Sequence, residues 1–239
     1  MHLNYLIALT CILIVPAGLH RYFKHIKQKM HVIKWKRSLN IPQHHKVFKE
    51  LYQEVNGFVL SKIARSRQDA LDYVYGEIEF ESFIALLSLI GLQPESIFYD
   101  LGCGTGKTVL AAAMVYPIKN SIGVELLPEL YNCACMQAQK LAKLDIYRQQ
   151  AQKIEIIQGD FLEANLSNAT DIFINSSSLF NPTWQKLCLK LESLPQIKTV
   201  ITTSKPLLSD KFELVKTARI QVSWGFVGAF IHICKTNIH

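Results

Sequence analysis

Residues 96–106 read Ser-Ile-Phe-Tyr-Asp-Leu-Gly-Cys-Gly-Thr-Gly, and an apolar, alanine-rich run from Lys107 to Tyr116 follows them. Ser96 to Asp100 is a short apolar strand, and 107–116 predicts a helix that Pro117 ends. Between the two, three glycines at alternate positions permit a tight turn and a close approach of backbone to a ligand. A lone Gly-x-Gly is also what an ordinary turn looks like, so the surroundings decide. Asp100 ends the strand before the glycines, Glu125 ends the next predicted strand (Ser121 to Glu125), and Asp160 follows the third (Ile154 to Gln158). Three strand-ending acids and one glycine loop thus meet at the carboxyl edge of an open sheet, where such folds bind ligands.

Outward from this stretch the chain keeps alternating. Pro128 opens a long helix reaching about Gln150, Asp171 to Asn175 is a strand, Pro182 to Leu194 a helix closed by Pro195, and Lys198 to Thr203 a strand. Phe212 to Arg219 and Trp224 to Cys234 alternate as a strand pair. Upstream, Val47, Leu51, Val55, Phe58 and Val59 give a helical pattern. Tyr73 to Ile78 bears a turn, and Phe80 to Ile90 predicts a helix stopped by Gly91. Strand–helix alternation of this kind predicts an α/β protein: a doubly wound parallel core, an antiparallel C-terminal edge and N-terminal helices in front.

The 239 residues are 49% hydrophobic and carry a formal net charge of +7, which excludes a disordered chain and, with one long apolar run, a multi-span membrane protein. The charge is uneven. Residues 1–49 hold nine of the 26 Lys and Arg and no acid, so the remainder, with all 19 acidic residues, is close to neutral. Leu3 to Leu19 is uncharged and rich in Leu and Ile, at the lower length limit of a membrane span. A cleaved signal peptide and a merely interfacial or buried helix are the rival readings, but against cleavage Met1 to Asn4 lacks Lys and Arg, and the positive charge follows the apolar run. By the positive-inside rule this predicts a single-pass membrane protein with its catalytic domain on the cytoplasmic side. The expected domains are an anchor over 1–20, a basic juxtamembrane and helical segment over 21–69, and a catalytic domain over 70–239. The arm 21–49 mixes Tyr22, Phe23 and Trp35 with its basic residues, which suits an anionic lipid surface, the reading favoured because the arm directly follows the apolar run, and also a nucleosome or other nucleic-acid contact. None of the six cysteines forms a Cys-x-x-Cys pair, and Cys133 and Cys135 fall in a helix, where i and i+2 do not face each other, so no metal site is expected.

The charges also select the ligand. A pyrophosphate at the glycine loop would be repelled by Asp100, which argues against a dinucleotide. The same acids suit an adenosine that carries an amine and a cationic sulfur. Asp100-x-Gly102-x-Gly104-x-Gly106 with Glu125 and Asp160 resembles the motif set of class I S-adenosylmethionine-dependent methyltransferases, whose Rossmann-like sheet matches the predicted alternation. More narrowly, Val74-Tyr75-Gly76-Glu77, Gly159-Asp160-Phe161-Leu162, Asp171 to Asn175 with Phe180-Asn181-Pro182, and Ser204-Lys205-Pro206 resemble segments of Dot1-type lysine methyltransferases.

That resemblance implies S-adenosyl-L-methionine as cofactor, a protein lysine as acceptor (histone H3 in the family) and a monomer. It implies that Tyr75 and Glu77 close over the cofactor, that Asp100, Gly102, Gly104, Thr105 and Gly106 line it, and that Glu125 holds the ribose. Asp160 and Phe161 would hold the adenine, and Asn175 would sit by the methionine moiety and the lysine channel, so that Asn175 and Tyr75 are the catalytic candidates. Phe161, Phe180 and Trp184 are channel candidates, with core packing the favoured reading of each. Ser176-Ser177-Ser178 stands where the family has aromatics, and Ile78 where it has a small polar residue. Membrane-anchored mitochondrial lysine methyltransferases share the N-terminal apolar segment and form the alternative, as does a non-catalytic S-adenosylmethionine-binding module.

Overall fold

The computed structural model describes residues 22–67, 70 and 73–237. The chain divides into two compact units, at Gln43 and His44. In the first, a helix, α1, runs over 22–38. The second begins within α2 (Ile41–Tyr52) and continues with α3 (Gly57–Arg65), α4 (Phe80–Ser88), β1 (Ile97–Leu101), α5 (Lys107–Val115), β2 (Asn120–Glu125) and α6 (Pro128–Ala142). It is completed by α7 (Arg148–Ala151), β3 (Ile154–Gln158), β4 (Asp171–Ile174), α8 (Thr183–Ser193), β5 (Thr199–Thr203), β6 (Phe212–Val222) and β7 (Gly225–Cys234).

Seven strands form one sheet in the order β3-β2-β1-β4-β5-β7-β6. β1 to β5 are parallel, and β7 pairs antiparallel with both β5 and β6. The expected antiparallel pair is present, with the reversed strand lying one place inside the edge. The chain winds outward from β1 to β3, then returns to place β4 on the other side of β1. That reversal opens a crevice at the carboxyl ends of β1 and β4.

The four central strands, β1, β2, β4 and β5, are buried on both faces, while the edge strands β3 and β6 are largely open. Tyr99, Leu101, Ile122, Val124, Ile172, Ile174 and Val200 pack with Trp184, Leu187 and Leu191 of α8. Phe98 and Phe173 point the other way, edge-on to Phe83 of α4 at ring-centre distances of 6.0 and 5.3 Å. Apolar strands buried on both faces are what a parallel sheet requires.

Several expected elements differ. The long helix from Pro128 stops at Ala142, because Leu144 is extended and a short 3-10 turn follows. The break turns Tyr147 inward, 2% exposed, where its hydroxyl meets His44 Nδ1 at 2.8 Å. The upstream helical pattern is two helices, with Asn56 capping α3 through Val59 N at 3.1 Å. Phe58 and Val59, taken as inward-facing, are about half exposed. Leu51 of the expected pattern is buried, together with Ile41, Phe48, Tyr52, Gly57, Ser61 and Ala64.

The expected single-pass membrane placement is corrected. Among the described residues no helix is long and apolar enough to cross a membrane. The apolar run 3–19, on which that expectation and the anchor over 1–20 rested, lies outside the described residues.

His232 of β7 ties the turn after β5 to the sheet. Its Nε2 accepts from Leu207 N at 3.1 Å and its Nδ1 faces Val200 O at 3.2 Å, so the ring is held neutral. Burial pushes its pKa down from 6.5. The unfolded chain takes up the proton first, so folded stability is lost as the pH falls below 6.5. Thermal midpoints measured down a pH series should decline below that value, by up to ~1.4 kcal/mol per pH unit for this residue. His232→Asn should flatten the decline.

Candidate active site

The crevice holds a cavity of about 260 Å³. Its floor is the carboxyl end of the sheet. Asp100 lies near the end of β1, 2% exposed, and takes a hydrogen bond from Thr108 Oγ1 on one oxygen. Its Oδ1 is buried with no partner. Desolvation pushes this carboxyl up to about 7, with the Thr108 hydroxyl pulling down and Glu125 adding to the rise. Glu125 closes β2, also buried. It accepts from Gly104 N on Oε2 and from Leu127 N on Oε1, both at 2.8 Å. Burial raises its pKa as well, and those amides oppose the rise.

The glycine loop reaches Glu125 because Gly102, Gly104 and Gly106 all have positive φ. At Gly104 space is also decisive, since a Cβ there would lie 2.6 Å from Tyr75 Cε2. Tyr75 belongs to a strap, residues 73–79, that crosses the loop. Its hydroxyl donates to Glu77 Oε1 at 2.7 Å and lies 3.0 Å from Thr105 Oγ1. Burial, with the Glu77 charge, raises its pKa. Glu77 Oε2 in turn pairs with Lys107 Nζ at 2.6 Å. Tyr52 donates to Thr105 O at 3.0 Å, and Lys107 Nζ sits 5.3 Å from the Tyr52 ring centre.

The strap's other side is held by the β6–β7 turn. Ile78 bridges Val222, Glu79 N donates to Gln221 O at 3.1 Å, and Ser223 N to Glu77 O at 2.8 Å. The Trp224 ring lies so close over Gly76 that a Cβ there would stand 2.0 Å from it.

Of the residues expected at the site, Tyr75, Glu77, Asp100, Gly102, Gly104, Glu125, Asp160, Phe161 and Asn175 all line the cavity. Thr105 supports Tyr75 from outside it, and Gly106 caps α5. Asp160 Oδ1 accepts from Leu162 N at 2.8 Å, which shapes the turn after β3. Asn175 Oδ1 accepts from Thr203 Oγ1 at 2.7 Å and Ser177 Oγ at 3.0 Å, while its Nδ2 faces Gly76 O at 3.4 Å. Trp184 is 4% exposed and packs in the core, and Phe180 is half exposed with Lys205 Nζ 5.3 Å from its ring centre, so neither lines the cavity.

Sequence reading missed Lys107, Thr108 and Trp224. For Lys107 a signal existed: a cation in the first turn of a helix opposes the helix dipole and asks for a partner. Nothing in sequence spacing joins Trp224 to Gly76.

The family model for the histone methylation protein DOT1 matches residues 60–224. The chain belongs to this family. It is 33% identical over 148 residues to the H3 lysine-79 specific histone-lysine N-methyltransferase of Caenorhabditis elegans, a match over 59% of this chain and 15% of that protein. It is 27% identical over 105 residues to a protein-lysine N-methyltransferase of Saccharolobus islandicus, covering 42% and 61%. The chain therefore spans less than two thirds of either relative. The magnesium protoporphyrin IX methyltransferase of Synechocystis, solved with bound SAM, superposes with a TM-score of 0.51 at 14% identity over 65% of this chain and 78% of that one, which shows the shared class I methyltransferase fold.

Gly104→Ala combines a strained φ with a 2.6 Å contact to Tyr75. It should displace the strap and lower stability by about 1–3 kcal/mol in urea unfolding.

Proposed function

We propose that this DOT1-family chain transfers a methyl group from S-adenosylmethionine to a lysine amine of a protein, with histone H3 as the substrate suggested by its relatives' names. One observation carries the cofactor reading: four carboxylates, Glu77, Asp100, Glu125 and Asp160, line one cavity, and among its described lining residues Lys107 alone is a cation. S-adenosylmethionine brings a sulfonium, an ammonium and a single carboxylate, so its charges complement that set. The residues fit the group, because Asp100 Oδ1 is a buried acceptor with no donor, and such a group is costly until a ligand satisfies it.

When bound, the cofactor supplies a methyl group activated by the sulfonium charge. Glu125 would accept the ribose hydroxyls, since each of its oxygens keeps acceptor capacity beyond one backbone amide. Asp160 and Phe161 would hold the adenine, and Asp100 the ammonium. Tyr75, fixed by Glu77 and Thr105, would cover the cofactor and exclude water. Asn175, whose oxygen is occupied by Thr203 and Ser177, would present its Nδ2 side toward the strap and the acceptor. The chain's contribution is positioning, which for two reactants held in line accounts for a large part of the barrier. An acceptor lysine arrives neutral when its path is desolvated.

Three results test this reading. Glu125→Ala should weaken S-adenosylmethionine binding by about 1–3 kcal/mol in calorimetry, and unchanged affinity would remove the ribose assignment. An ammonium favours the charged form of Asp100, so cofactor affinity should rise as the pH climbs through about 7 and then level off. Below that point binding should release protons, seen as a buffer-dependent enthalpy. Tritiated methyl should appear on lysine when the protein is incubated with recombinant histone H3 or nucleosomes. Label in nucleic acid with none in protein would overturn the acceptor assignment, and binding without transfer would make the chain a cofactor-binding module.

A further inference from the structure

The turn after β3 carries Asp160, Phe161 and Leu162 into the cavity; its apolar side chains pack on the core that α8 shares, but its backbone belongs to no strand or helix. Its internal bonds are few: Asp160 O accepts from Glu163 N and Ala164 N at 2.9 Å each, and Asp160 Oδ1 from Leu162 N. The carbonyls of Phe161, Leu162 and Ala164 receive no bond from within the turn. Lys190, on α8, meets all three, its Nζ lying 2.9, 2.7 and 2.6 Å from them. An ammonium has three donors, so every proton of Lys190 goes to this one turn.

That arrangement differs from an ordinary surface lysine. An exposed lysine gains little by giving up its water and side-chain freedom. Here the stem lies along α8, a helix whose other face, Trp184, Leu187 and Leu191, is locked in the core under β1 and β4. The ammonium therefore fixes the backbone of a turn whose side chains Phe161, Leu162 and Ala164 already rest on that core. A charged donor also makes stronger bonds to carbonyls than a neutral one.

We propose that Lys190 is a positioning residue for the nucleoside half of the cofactor site, acting through the backbone of 161–164 and not by touching the ligand. The inference rests on the cofactor reading above and names which part of that site depends on α8. Without the ammonium, three carbonyls at the turn turn toward water and the Asp160–Phe161 edge loses its fixed position.

The test uses the full chain, S-adenosylhomocysteine and 5′-methylthioadenosine as probes, and amide hydrogen exchange. Lys190→Met keeps the stem and removes the donors. Its affinity for both probes should fall by about tenfold, in parallel because they share the nucleoside. Exchange at the Leu162, Glu163 and Ala164 amides should speed up, while exchange at the Gly104 and Leu127 amides, which bond Glu125, should not. Lys190→Arg, which restores several donors, should recover most of the affinity. If the Met variant does not fold, Lys190→Gln, with two amide protons, should show an intermediate loss. Wild-type affinity in the Met variant with unchanged exchange overturns the proposal, as does a loss that Arg fails to recover. Faster exchange at 162–164 in a protein whose wild type binds neither probe would leave the brace standing and remove the cofactor reading.

Discussion

Two carboxylates are buried on neighbouring strands, Asp100 near the end of β1 and Glu125 at the end of β2, and the local structure is arranged around that cost. Removing a carboxylate from water is unfavourable unless donors replace the solvent. Glu125 is supplied by the amides of Gly104 and Leu127. Asp100 has the Thr108 hydroxyl on one oxygen and nothing on the other. The glycine loop is shaped by the first requirement, because only a left-handed turn brings Gly104 N to Glu125. The second requirement is left open, which is how a binding site differs from a stability element: a donor must come from outside.

Electrostatic balance in the crevice is then set by Lys107 and the strap. Lys107 is bound to Glu77, Glu77 to Tyr75, and Tyr75 to Thr105 of the glycine loop. The chain of contacts closes the cavity on the side away from the sheet. It also links the loop to the β6–β7 turn, because Glu77 O receives Ser223 N and Gly76 lies beneath Trp224. The last hairpin of the sheet thus contributes to a site whose binding motifs all lie far earlier in the chain. The span of the family match, ending at residue 224, includes this turn.

The opposite wall is built by a different logic. The turn after β3 and the loop after β4 both reach the cavity from strand ends, and each is held by a hydroxyl or ammonium from a neighbouring element. Thr203 secures Asn175 and Lys190 secures the 161–164 backbone. Polar side chains on rigid elements substitute there for the strand pairing that ends at the sheet's edge.

The sequence by itself determined the strand–helix alternation, the glycine loop and the three strand-ending acids. Each is a local signal: period, turn chemistry and position relative to a strand. Asp100, Gly102, Gly104, Glu125 and Asp160 accordingly line one cavity, together with Tyr75, Glu77, Phe161 and Asn175, which only the family resemblance had pointed to. The sequence also misled where local pattern was a poor guide. Phe58 and Val59 fit a helical stripe and yet are about half exposed. Tertiary structure alone decided the partners that come from afar: Lys190 under the β3 turn, Trp224 over Gly76, Tyr147 against His44. Those pairings depend on where the winding of the sheet places each element, and no spacing along the chain encodes a contact between residues 148 positions apart.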